Sequence, residues 1–390
     1  MKRETFTLLI IVLAQFCCTS LWFAGNAVMN DLVFAFQLEP AALGHLTSVV
    51  QFGFIMGTLV FALFMLADRF SPSRVFFVSA LAGSVCNLGT LWQGNSLQTL
   101  LLFRFLVGFA LAGIYPVGMK LAADHFEKGL GKSLSFLVGA LVLGTAFPHL
   151  LKSSFAEGGL PWKSVLSLTS GLACVGGFLI VILVPDGQFR KPSQKLDLSA
   201  FFAIFKVRPF RNAAFGYFGH MWELYTFWAF IPVILKTYQD SFPGTSLAIP
   251  LLSFAVIAIG SLACVFGGLA ATKHGNQRIA SLALLGSGLC CLLSPLAFLI
   301  PVAAFFVLFL LLWGIFVIAD SPLFSALVAE NAPPTLKGSA LTIVTSIGFS
   351  LTIVSIQLLN VLHAFLDHRF LYLVLATGPI LGLYAIREKR

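Results

Sequence analysis

The sequence predicts an all-α membrane protein whose twelve transmembrane helices form two pseudo-symmetric six-helix bundles, and three observations carry that prediction. Of 390 residues, 58% are hydrophobic and only 10% charged, whereas soluble globular chains are about one quarter charged. The charges cluster, and long uncharged tracts separate the clusters: 26 residues between Glu4 and Asp31, 41 between Arg278 and Asp320. One long basic connection near the middle divides six apolar tracts from six more. With 41 Phe and 7 Cys, neither a disordered chain nor a disulfide scaffold fits.

A spanning helix takes about 20 apolar residues at about 1.5 Å each. The tracts then place spans over residues 6–29, 43–66, 74–93, 97–122, 131–152 and 163–185. The second set covers 210–236, 247–271, 278–297, 300–326, 337–362 and 367–386. The tract from Phe6 is too long for a signal peptide and no small-residue cleavage site follows it. The 41-residue gap holds two spans divided by a turn at Ser294-Pro295 and Pro301. The organisation is therefore 1–185 as an amino-terminal bundle, 186–209 as a linker and 210–390 as a carboxy-terminal bundle. Within the linker, residues 197–206 pattern as a helix lying in the membrane interface.

Alternating the loops puts 19 of the 24 Lys and Arg residues on the side of both termini. The positive-inside rule makes that side cytoplasmic, for a multi-pass protein of the cytoplasmic (inner) membrane. The net charge of +9 is thus a topology signal, and nothing remains for a nucleic-acid partner to explain. All seven cysteines fall inside spans as small packing residues.

The two halves repeat. After the second span comes Phe64-Met-Leu-Ala-Asp68-Arg69-Phe-Ser71-Pro-Ser-Arg74; after the eighth, Gly268-Leu-Ala-Ala-Thr272-Lys273-His-Gly275-Asn-Gln-Arg278. Each resembles the loop signature of the major facilitator superfamily: glycine, three residues, aspartate, a basic residue, one residue, glycine, then basic residues. The first copy keeps Asp68, Arg69 and Arg74; the second keeps Gly268, Lys273 and Gly275. Arg104-Phe-Leu-Val-Gly108 in the fourth span is similar to that family's arginine-to-glycine motif. The resemblance implies two six-helix bundles and transport by alternating access, with helices 1, 4, 7 and 10 lining a central cavity. The Gly-Pro pair of the family's antiporter motif is absent from the fifth span. Asp68 and Arg69 read as a latch at the cytoplasmic face, a charged pair beside a helix terminus that holds in one conformation and parts in another.

Ionisable groups inside a span are costly and mark cavities, partners or ion paths. Four stand out: Arg104 in the fourth span, His220 and Glu223 in the seventh, Asp320 in the tenth. They form a ladder across the membrane suited to proton coupling, with Glu223 at the centre of its helix as the carrier of the coupled proton. His220 and Glu223, three apart, share a face and can hydrogen-bond. Trp22, Asn26, Tyr115, Trp222, Tyr225 and Trp228 lie on the same helices as candidate cavity residues. Their rings suit cation–π contact with a cationic or amphipathic solute.

The leading function is a proton-coupled secondary transporter for a small organic solute, with the bilayer, protons and solute as partners, no cofactor, and a monomeric state. The alternative is an exporter of divalent metal ions or cationic drugs; His220, Glu223 and Asp320 supply N and O ligands, but their depths disagree. No His-Glu-x-x-His, Gly-x-Ser-x-Gly or glycine-rich phosphate loop points to an enzyme.

Overall fold

The computed structural model describes residues 3–39, 41–126, 130–154, 159–190, 204–333 and 336–387. Residues 197–203 of the expected interfacial helix lie outside them. In lipid every backbone polar group must be satisfied within the segment, and the apolar tracts accordingly fold as helices. The chain divides into two compact units, 1–196 and 197–390.

In the first unit the helices are α1 (Arg3–Thr19), α2 (Ala24–Ala27), α3 (Met29–Phe36), α4 (Ala42–Leu63), α5 (Leu66–Arg69) and α6 (Pro72–Gly89). They continue with α7 (Leu97–Ala112), α8 (Tyr115–His125), α9 (Leu130–Ser153) and α10 (Trp162–Leu183). The second unit has α11 (Arg208–Ser241), α12 (Ile249–His274), α13 (Asn276–Ala297), α14 (Ala303–Ala319), α15 (Ser321–Asn331) and α16 (Lys337–Leu362). It ends with α17 (His368–Leu371), a 3₁₀ turn (Tyr372–Ala376) and α18 (Thr377–Ile386). Nine helical tracts among the described residues are long and apolar enough to cross a membrane. The tracts α1–α3, α6 and α11 complete a series of twelve.

Three spans that the sequence predicts as continuous are broken, and the twelfth passes through the 3₁₀ turn Tyr372–Ala376. The fourth stops at Ala112 and restarts at Tyr115; the tenth stops at Ala319 and restarts at Ser321. Both restarts carry proline near the new N-terminus, Pro116 and Pro322. A proline ring clashes with the carbonyl four residues earlier, here Ala112 and Ile318, where the upstream helices end. The Ile318 carbonyl then accepts from Cys264 Sγ at 3.5 Å. Pro148, Pro232 and Pro295 sit inside unbroken helices, so proline alone does not decide. The first span breaks between Thr19 and Ala24 with no proline present.

The same pairings recur in both units: second span on fourth and eighth on tenth, first on fifth and sixth, and seventh on eleventh and twelfth. The closest approach recurs too. A Cβ on Gly108 would lie 2.0 Å from the Val50 carbonyl oxygen, and one on Gly314 would lie 2.1 Å from that of Val256. These pairs are 206 residues apart. The motif loops align Asp68 with Thr272, an offset of 204 residues, and that offset holds at the start of α6 and α13, Pro72 and Asn276. Two residues are thus lost in the second loop and regained before the tenth span. The residue opposite Asp320 is therefore Ile114, not the Pro116 that the loop offset implies.

Candidate functional site

In the second unit α11 carries His220, Glu223, Tyr225 and Trp228 along one long helix. Glu223 is 1% exposed and points into the bundle. Its Oε1 accepts from Trp313 Nε1 at 2.5 Å, and from Cys291 Sγ at 3.3 Å. Its Oε2 has no hydrogen-bond partner among the described residues. Phe227 stacks on Trp313 with ring centroids 4.4 Å apart, fixing the indole that reaches the carboxyl. One turn away, His220 Nδ1 lies 2.8 Å from Asp320 Oδ1, both side chains being buried.

His220 thus engages Asp320 across to the tenth span instead of Glu223 on its own helix. Asp320 can be reached because it occupies the break between α14 and α15, as the residue preceding Ser321. The carboxyl of Glu223 is held from the ninth and tenth spans. Among the described residues no three His, Cys, Asp or Glu side chains gather as a metal site. His220, Glu223 and Asp320 therefore do not make one ligand set.

Arg104 lies in the first unit, buried on α7. Its Nη2 donates to the Trp22 carbonyl at 2.6 Å, while Nη1 donates to the Leu21 carbonyl at 3.2 Å and Asn87 Oδ1 at 3.5 Å. Those carbonyls belong to the interruption of the first span. A cation at the end of a helix satisfies the carbonyls left over there, so Arg104 braces the break. Asn87 is itself held by Leu166, Thr169 and Ser170 of α10.

The expected cavity residues separate. Trp22 packs on Phe54 with centroids 5.0 Å apart, and Asn26 Nδ2 donates to Thr47 Oγ1 at 2.7 Å. Tyr115 opens α8 and is half-buried. Tyr225 contacts Trp228 and Phe349 at 5.5 and 5.2 Å. Trp222 turns elsewhere: its Nε1 donates to the Val374 carbonyl at 3.2 Å, and its ring lies against Gly378 of the last span.

At the motif loop Asp68 Oδ1 lies 3.1 Å from Lys120 Nζ, which also reaches Asp124 at 3.5 Å. Arg190 Nη2 donates to the carbonyls of Asp68 and Phe70, both at 2.8 Å. Arg69 and Arg74 are exposed. In the second copy Gly268 lies within α12, Lys273 is exposed, and Gly275 joins α12 to α13 at φ +85°. That backbone favours glycine. Ser71, its counterpart at the loop offset, has φ −60° and needs none.

Sequence reasoning missed Trp313, Cys291, Lys120 and Arg190. Trp313 precedes Asp320 by two helical turns, a signal that a search for indoles beside intramembrane carboxyls finds.

The family model described as Major Facilitator Superfamily matches residues 11–356. An uncharacterized MFS-type transporter of Bacillus subtilis, YybF, is 22% identical over 256 residues, covering 59% of this chain and 62% of the relative. The niacin transporter NiaP of Acinetobacter baylyi is 33% identical over 145 residues, covering 34% of this chain and 32% of NiaP. The matched stretches therefore span under two thirds of either relative. Among solved structures, the proton:xylose symporter XylE is similar with a TM-score of 0.74 at 15% identity, over 98% of this chain and 94% of XylE. That likeness speaks for the fold.

Proposed function

The chain belongs to the Major Facilitator Superfamily as a multi-pass membrane protein of that type, and on that premise we propose that it carries a small organic solute across the cytoplasmic membrane by alternating access, coupled to protons at Glu223. The observation that carries this reading is the Glu223 carboxyl itself. One oxygen is fixed by Trp313 and Cys291, and the other is without a partner among the described residues. An intramembrane carboxyl so placed can take a proton on the open oxygen while the fixed one keeps its geometry. The adjacent His220–Asp320 contact offers a second group that exchanges protons, bound to a different span.

The niacin transporter among the relatives supports a small organic solute. The excess of Lys and Arg on one side supports cytoplasmic termini. Asp68 with Lys120, and Arg69, are the parts we assign to the cytoplasmic gate.

Glu223→Gln tests the coupling, because glutamine keeps shape and hydrogen bonding but carries no exchangeable acid proton. Reconstituted in liposomes with an imposed pH gradient and a panel of small solutes, the variant is expected to lose accumulation against a gradient. Solute counterflow, which needs alternating access but no net proton movement, should persist. Accumulation equal to the parent's would remove Glu223 as the coupling site and turn attention to Asp320.

A further inference from the structure

One face of α4 bears Thr47, Gln51 and Phe54, at spacings of four and three that align them along the helix. The two outer residues reach the first span: Thr47 accepts from Asn26, and Phe54 packs on Trp22. Gln51 between them therefore faces the stretch from Trp22 to Asn26. It is 0% exposed, and neither its Nε2 nor its Oε1 has a hydrogen-bond partner among the described residues. Buried amides are nearly always paired, because leaving both groups unmet forfeits their hydration for nothing. The stretch it faces includes the interruption of the first span, and discontinuous spans are where transporters of several folds hold their solutes.

We propose that Gln51, flanked by Trp22 and Phe54, is the hydrogen-bonding contact of a solute site on the amino-terminal unit, and that its solute is a small planar aromatic molecule bearing a carboxamide or an undissociated carboxylic acid. The inference rests on the transport reading, since alternating access is what opens so buried a group to solute.

The chemistry follows from the amide. It presents a donor and an acceptor side by side, and a carboxamide or protonated acid presents the complementary edge, closing two hydrogen bonds at once. A carboxylate anion lacks the donor, so Oε1 would stay unmet. The buried cation of this unit does not offset that, because the Nη atoms of Arg104 are committed to the Leu21 and Trp22 carbonyls and to Asn87. The Trp22 and Phe54 rings supply offset or edge contacts for a planar solute.

The test uses the full chain, purified and in nanodiscs, with benzamide as probe, cyclohexanecarboxamide as the non-aromatic control and benzoate at neutral pH as the charged one. The parent is expected to bind benzamide more tightly than either control. Gln51→Met keeps the length of the side chain without its polar groups and should weaken benzamide about tenfold or more. The same variant, free of ligand, should melt at a higher temperature than the parent, because an unpaired buried amide has been removed. Phe54→Leu should narrow the preference for benzamide over cyclohexanecarboxamide. Absence of benzamide binding to the parent, unchanged affinity in Gln51→Met, or a lowered melting temperature in that variant would each overturn the proposal. Binding is read without a pH gradient, whereas the coupling reading is tested by accumulation against one, so failure of this site and failure of proton coupling are separate results.

Discussion

At the scale of single residues, the intramembrane charges divide into two kinds by what they touch. Asp320 meets a histidine on another span and Glu223 keeps one carboxyl oxygen without a partner among the described residues, so each can take up a proton, whereas Arg104 contacts carbonyls that cannot. Arg104→Gln should therefore behave as a structural lesion. It withdraws a charge-assisted donor from two buried carbonyls, which costs roughly 2–3 kcal/mol. A melting curve in detergent should show that loss for Arg104→Gln and not for Glu223→Gln. That all four residues lie inside spans was legible in the sequence, but the depths read from it set Asp320 apart from His220, which it meets at 2.8 Å. The partner of each was not legible, since sequence spacing constrains contacts only within a helix, and His220 reaches across to Asp320.

At the scale of elements, the second and fourth spans, and the eighth and tenth, meet backbone to backbone at Gly108 and Gly314. Association of helices in lipid relies on such close contact because the tails are as apolar as the side chains. Alanine at either site drives a methyl into a carbonyl that belongs to a neighbouring helix. Gly108→Ala and Gly314→Ala should each destabilise by roughly 1–3 kcal/mol. Gly338→Ala, where a Cβ meets nothing within 4 Å, should be neutral or slightly stabilising by the same melting assay. The sequence singled out Gly108 through its motif; it did not mark Gly314, whose surroundings are uniformly apolar. Broken spans follow a similar division. Pro116 and Pro322 signal two of them, but the break in the first span depends on Arg104 reaching its carbonyls, a contact 82 residues away in the chain.

At the scale of the whole molecule, the two units share one helical plan and have diverged in chemistry. In the register set by Gly108 and Gly314, Val107 and Ile114 stand where the second unit has Trp313 and Asp320. The carboxyl chemistry of the fourth-span equivalent is thus confined to the tenth. Asp68 contributes at this scale through Lys120, on the fourth span, and through Arg190, beyond the sixth. Asp68→Asn removes the charge that holds Lys120 and weakens a charge-assisted contact. We expect a shift towards the inward-open state, read as a changed distance distribution between spin labels on the two units. An unaltered distribution would leave Asp68 and its neighbours a topological role alone.

The sequence by itself determined the twelve apolar tracts, the repeat, and which residues carry charge into the membrane. The reason is that lipid enforces those features locally: each span must satisfy its own backbone, and each charge within a span is costly wherever the neighbours lie. What only the tertiary structure decided is the phase of each helix against the next. That phase turns Trp222 to the last span, sets Trp313 on Glu223, seats Arg104 under the interrupted first span and leaves Gln51 without a hydrogen-bond partner among the described residues. Phase depends on how many small and large side chains interlock across all the spans of a unit at once, and no single tract contains that information.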